Sequence, residues 1–337
     1  METLLQQIIN GVTLGSIYAL IALGFTVTFG VLGLLNLAHG EIYMVGAYVG
    51  LVLLMPAKLN PLLAALSTLI LIFFLGVVER VAFKPLRRSA HFIPLISTIA
   101  VGLIVQEVVL LLKGPQTQFF PEILKFNPVA LWRIRIFPLQ IIILVVGLLL
   151  MAAFHIFLKK AKMGKAIRAT TQDNITARLM GISTDRVISV TFGAGPALGA
   201  AAGILVGIFY GAIYPTMGYM ATLKAFVAAV VGGMGSIPGA VIGGFFLGIG
   251  EGLGAAYLPS GFSDVIAFAL LIAFLVIKPG GFLGMAAEKM MEVHAPLPSG
   301  RALRIGLPPF LKGRDLVLLL LILSLAFSLR PYGPQYS

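Results

Sequence analysis

The chain has 337 residues, 59% of them apolar and only 11% charged, and its mean hydropathy is +1.04. Soluble domains run at about 45–50% apolar and 25% charged, so a soluble fold is excluded and an all-α polytopic transmembrane bundle of about 8–10 membrane segments is expected. The net charge of +12 is spread between apolar runs rather than gathered on one face. It therefore points to topology and anionic membrane lipid, not to nucleic acid. Cysteine is absent, which removes disulfide and thiolate chemistry.

Taken in order, residues 1–10 carry no basic region and run straight into an apolar stretch, so no cleaved signal peptide is expected. A span needs roughly 20 apolar residues. The first candidate covers about residues 12–32 and is followed by a polar knot holding Asn36, His39, Gly40 and Glu41. The second, about 42–55, must recruit that knot if it is to cross. The third, about 62–78, leads into a loop with Arg80, Lys84, Arg87 and Arg88. A fourth span at about 92–112 precedes a loop, 113–137, rich in Pro, Gln and aromatics, with the single tryptophan Trp132. The fifth, about 138–158, enters the stretch 159–186; the sixth is about 187–210, and an uncharged link covers 211–218. Two shorter segments, about 219–231 and 240–257, flank GGMGSIPG, and the ninth span is about 265–277.

With the N-terminus outside, 17 of the 24 Lys and Arg residues fall in inside loops and the tail, which satisfies the positive-inside rule. Seven of them lie in 159–186 (Lys159, Lys160, Lys162, Lys165, Arg168, Arg178, Arg186), against Asp173 and Asp185. Helix formers, a cap at Thr176 or Asn174 and a stop at Gly181 predict a short helix on the cytoplasmic face, offered to a partner. A solvated loop that only fixes topology accounts for the same charges.

Glycines recur every four residues at Gly195, Gly199, Gly203, Gly207 and Gly211, and again at Gly244 and Gly248. Such stripes predict close helix packing, with Pro196 as a kink. Asn36, His39, Glu41, Gln106, Glu107, Lys224 and Glu251 are the polar residues expected inside the membrane, with Asp264 at a span edge. They are candidates for a translocation path or for structural latches, Glu41 and Glu251 each being able to meet Lys224 or His39. No second His or Cys has metal-ligand spacing with His39, no nucleophile–base pair emerges, and no P-loop is present. No cofactor is expected. If ATP drives transport, hydrolysis must occur on another chain, and 159–186 is the place for that chain to dock.

Three motifs carry a resemblance: GLLNLAHGEIYMVGAY after the first span, the loop GKAIRA with Asp173 and ARLMGI, and KAFVAAVVGGMGSIPGAVIGG. Together they are similar to permeases of branched-chain amino-acid ATP-binding-cassette importers, closest to the H-type (LivH-like) subunit, over about residues 5–285. The resemblance implies a complex with a second, M-type permease, two ATPase subunits and a periplasmic binding protein, in the bacterial inner membrane. It implies ATPase coupling through Gly164, Arg168, Ala169, Asp173, Ala177 and Gly181. Urea and short-amide permeases look similar in the same places. An ion-coupled secondary transporter, with broken helices around Gly232 and Gly239, is the alternative from another class.

The expected domains are a transmembrane permease, 1–285, a cytoplasmic basic linker, 286–315, and an extra hydrophobic segment, 316–337. Its apolar run is 14 residues long, at 316–329, and resembles the opening of the M-type partner. That suggests an interrupted fusion, or else a lineage-specific extra helix.

Overall fold

The computed structural model describes residues 2–55, 57–83, 92–121, 129–131, 134–257, 262–278 and 280–284. The linker 286–315, the segment 316–337 and residues 84–91 lie outside the described residues; Arg80, expected in the basic loop after the third span, lies on the last turns of the helix Pro61–Phe83.

The first helix, α1 (Glu2–Leu32), starts ten residues before its apolar run because its polar first turns are bound. Gln6 and the Arg135 backbone exchange hydrogen bonds at 3.0 and 3.1 Å, and Gln140 donates to Asn10 at 2.8 Å. Apolar on every side, α1 is buried along its spanning length, as a helix without a polar face should be. Around it pack α5 (Pro138–Lys160), α8 (Thr184–Tyr210), α9 (Met217–Gly232) and α10 (Ile237–Tyr257). An outer layer of α3 (Pro61–Phe83), α4 (Phe92–Lys113) and α11 (Ser263–Ile277) surrounds these, and on α3 and α4 Leu62, Phe74, Ile104 and Leu111 are exposed, as membrane-facing surfaces are. Among the described residues five helices are long and apolar enough to cross a membrane, and four shorter apolar ones accompany them.

α2 (His39–Leu54) takes in His39, Gly40 and Glu41 of the polar knot, with Asn36 left in the turn before it, and it begins inside the bundle rather than at its edge. The His39 ring lies beside Gly24 of α1 and Gly199 of α8, and Gly24 stands two turns before α1 ends. The chain between α1 and α2 therefore turns back by about 12 Å, at 1.5 Å per residue, before helix resumes. Backbone broken in this way survives at membrane depth only where protein satisfies it. Here Thr98 Oγ1 accepts from Leu37 N–H at 3.2 Å, and Thr222 Oγ1 accepts from Gly40 N–H at 2.9 Å.

Four of the stripe glycines face backbone. A side chain on Gly195 would meet the Gly24 carbonyl, one on Gly203 the Tyr43 carbonyl, and ones on Gly244 and Gly248 the α1 backbone at Ala19 and Gly15. Gly199 faces the His39 ring and Gly207 the ring of Phe120. Gly211 differs: it ends α8 at φ +67° with no neighbouring atom within 4 Å, so its role is a left-handed cap.

The loop expected at 113–137 contains short strands. β1 (Gln118–Phe119) pairs antiparallel with β4 (Ala212–Ile213), and β2 (Val129–Leu131) with β3 (Ile134–Ile136). At the opposite end of the bundle, Phe282 and Leu283 donate to the Val231 and Gly232 carbonyls at 2.9 Å, satisfying acceptors that the end of α9 leaves open.

Candidate functional site

Two regions hold the chemistry: the segment after α5, and the polar residues among the helices. Between α5 and α8 the basic stretch forms two helices, not one. α6 (Lys162–Gln172) ends at Asp173, and α7 (Asn174–Leu179) begins there. The cap expected at Thr176 or Asn174 is Asp173 itself, whose Oδ1 accepts from Ile175 N–H at 2.8 Å and Thr176 N–H at 3.1 Å. The Thr176 hydroxyl also donates to Asp173 Oδ2, and these bonds hold the carboxyl below the usual carboxylate range. With its folded value depressed, the cap is complete at neutral pH and lost only as pH falls through that lowered value. Asp173→Ala should therefore speed amide hydrogen exchange in residues 174–180 at neutral pH, whereas wild type should show that increase only in acid.

Of the other expected coupling residues, Gly164 packs against the Phe157 and Leu158 backbone at the tight α5–α6 corner, and Ala177 is buried. Arg168 and Ala169 lie on α6, Arg168 on the wall of a cavity of about 480 Å³ shared with Gly30 of α1 and Ser236 after α9. Gly181 turns the chain at φ +80° after α7. Sequence reading missed the apolar tip: Ile175, Leu179 and Met180 are 58%, 82% and 78% exposed on a segment otherwise basic. Their spacing of four and five residues was the available signal.

Inside the bundle, Lys224 of α9 meets Glu251 of α10 at 2.6 Å and Asp264 of α11 at 3.2 Å. The Tyr18 hydroxyl of α1 donates to Glu251 Oε2 at 2.8 Å, and its ring lies 5.5 Å beneath the Lys224 ammonium. Of the two partners open to Lys224, the structure pairs it with Glu251 and not with Glu41.

Glu41 is buried in the first turn of α2, against Gly218 at the start of α9, and makes no ion pair among the described residues. Its Oε2 and both ring nitrogens of His39 lack hydrogen-bond partners, the Ile21 carbonyl facing the imidazole without completing one. Asn36 Oδ1 accepts from Ala38 N–H at 3.1 Å and so shapes the turn before α2. The three residues of the knot thus stand where α2 and α9 begin side by side, apart from the Lys224 cluster.

The chain matches the family model described as branched-chain amino acid transport system / permease component over residues 7–275. It is 44% identical to the high-affinity branched-chain amino acid transport system permease protein LivH of Salmonella typhimurium, covering 83% of this chain and 95% of that protein. Permease protein BraD of Pseudomonas aeruginosa is 41% identical with the same coverage. The probable LivH of Methanocaldococcus jannaschii is 30% identical over 86% of this chain and 95% of its own length. No solved structure matches the chain.

Proposed function

Because this chain belongs to the family of branched-chain amino acid permease components, we propose that it is a membrane permease subunit of an ATP-driven importer. Together with a second permease it forms the path for apolar amino acids delivered by a periplasmic binding protein. ATP is hydrolysed on separate ATPase subunits. The bundle lies in the inner membrane with its N-terminus outside, which places α6 and α7 in the cytoplasm.

The observation that carries this reading is the α6–α7 segment. It is anchored by Gly164, Ile167 and Ala177, yet it presents Ile175, Leu179 and Met180 to solvent on a segment that also carries the exposed Arg168 and Arg178. An apolar knob on a basic segment outside the membrane fits a docking surface for a soluble subunit. A solvated topogenic loop would have no need of the knob. A self-sufficient secondary transporter would have no need of the docking helix.

Asn36, His39 and Glu41, where α2 and α9 begin, and the pair Lys224 and Glu251 are the residues of this chain placed to line or gate the path. The glycine contacts of α1, α8 and α10 let those helices lie close enough to hold them.

Co-purification tests the docking assignment. An ATPase subunit and a second permease should accompany the wild-type chain from detergent, and Arg168→Glu with Asp173→Lys should lose the ATPase while keeping the permease. A wild-type chain that purifies alone would sink the reading.

A further inference from the structure

We propose that Lys224 and Asp264, backed by Glu251, bind the charged head of the cargo: Lys224 takes the α-carboxylate and Asp264 the α-ammonium. This deepens, and rests on, the amino-acid importer reading.

The cluster has one ammonium and two carboxylates, which is more than a structural latch needs. Glu251 already satisfies Lys224 at 2.6 Å, is only 8% exposed, and is held from behind by the Tyr18 hydroxyl at 2.8 Å. Asp264 is the surplus charge. It is 44% exposed, sits in the first turn of α11, and pairs among the described residues with Lys224 alone, at 3.2 Å. A charge in a membrane-embedded bundle is costly and is kept for a counter-charge. The helix N-terminus makes a carboxylate tolerable there but gives no reason for it to face Lys224.

A zwitterionic amino acid supplies the missing partner. Inserted between Lys224 and Asp264, it produces the alternating order Glu251 carboxylate, Lys224 ammonium, cargo carboxylate, cargo ammonium, Asp264 carboxylate. Each charge then faces its opposite, and the net charge of the cluster does not change. One long ion pair is exchanged for two.

The surroundings suit the remainder of an apolar amino acid. Phe268 and Ile272 follow Asp264 at intervals of four, so the three share one face of α11, and both are exposed. A charged head with an apolar stripe leading away from it matches a small amphiphile whose side chain is hydrocarbon.

The cluster also lies toward the N-terminal end of α1: next to Glu251, Gly248 and Gly252 pack against Gly11, Gly15 and the Gln7 carbonyl. In the proposed orientation that is the half of the bundle nearer the side from which cargo arrives.

The absence of native cysteine in this chain permits a direct test. Asp264→Cys leaves the Lys224–Glu251 pair intact and places one thiol at the site. The whole importer, with both permeases, the ATPases and the binding protein, is reconstituted in proteoliposomes, and uptake of radiolabelled leucine is followed. Losing the carboxylate should lower uptake about tenfold or more, the scale for losing one charge-assisted bond. Thermal stability and co-purification with the other subunits should hold, which a merely structural role for Asp264 would not predict.

Modification of that thiol with an anionic sulfonatoethyl thiosulfonate should restore most of the uptake, and the cationic trimethylammonium reagent should not. Unimpaired uptake by Asp264→Cys would overturn the inference. So would a thiol unreachable from either aqueous side, or equal recovery with both reagents. A wild-type importer that takes up no leucine would overturn the importer reading as well, before any variant is compared.

Discussion

Gly40→Ala removes the folded permease from the membrane. The added methyl group would collide with the Gly218 carbonyl and the Thr222 hydroxyl, and would lie 2.6 Å from the Thr222 amide nitrogen. All three belong to the start of α9, and a buried helix end cannot retreat without breaking the bond from Gly40 N–H to Thr222 Oγ1 at 2.9 Å. Overpacking usually costs about 1–3 kcal/mol, and a clash with backbone on this scale belongs at or beyond the top of that range. Gly181→Ala is the matched control. It has no neighbour within 4 Å and only the strain of φ +80°, about 1 kcal/mol. Size-exclusion profiles of the solubilised proteins should show a monodisperse Gly181→Ala and an absent or aggregated Gly40→Ala.

Lys224→Met is the second large loss. It leaves the carboxylates of Glu251 and Asp264 without the cation they share. Breaking a buried pair from one side costs about 3–5 kcal/mol, because the remaining charge is stranded. Neutralising the buried pair leaves only the half-exposed Asp264 without its cation and is far milder, so Lys224→Met with Glu251→Gln should recover most of the stability. Thermal unfolding in detergent decides it. A single variant as stable as the double would show that the cluster is already solvated.

The difference between these two sites marks what could be read from sequence. The stripe from Gly195 to Gly207 was legible as a packing face because small residues at every fourth position have few other uses in a membrane helix. Which helix each glycine meets was not. Gly195 approaches Gly24 of α1, and Gly203 approaches Tyr43 of α2, because α8 crosses both. Lys224 was legible as an intramembrane charge needing a carboxylate. The choice of Glu251 over Glu41 follows from α9 and α10 forming a close antiparallel pair after the turn at Gly233 and Gly235.

Asp264 reads from sequence as a residue at the edge of a span. Only the packing of α11 against α9 and α10 brings it to Lys224. In the basic segment, charge and helix formers were plain, but the cap depends on where α6 stops. Its end at Gln172 hands the role to Asp173 rather than to Asn174 or Thr176. The β1–β4 pair was out of reach, since two strands of two residues each leave no periodicity to detect.

In the proposed importer, energy reaches the bundle through α6 and α7 from a separate ATPase. The most direct measurement is leucine uptake into proteoliposomes holding the purified importer, with loaded binding protein outside and ATP sealed inside or left out. Uptake against a gradient that requires lumenal ATP, and that Arg168→Glu with Asp173→Lys abolishes, is the predicted result. Equal uptake without ATP, driven by a proton or sodium gradient, would contradict it.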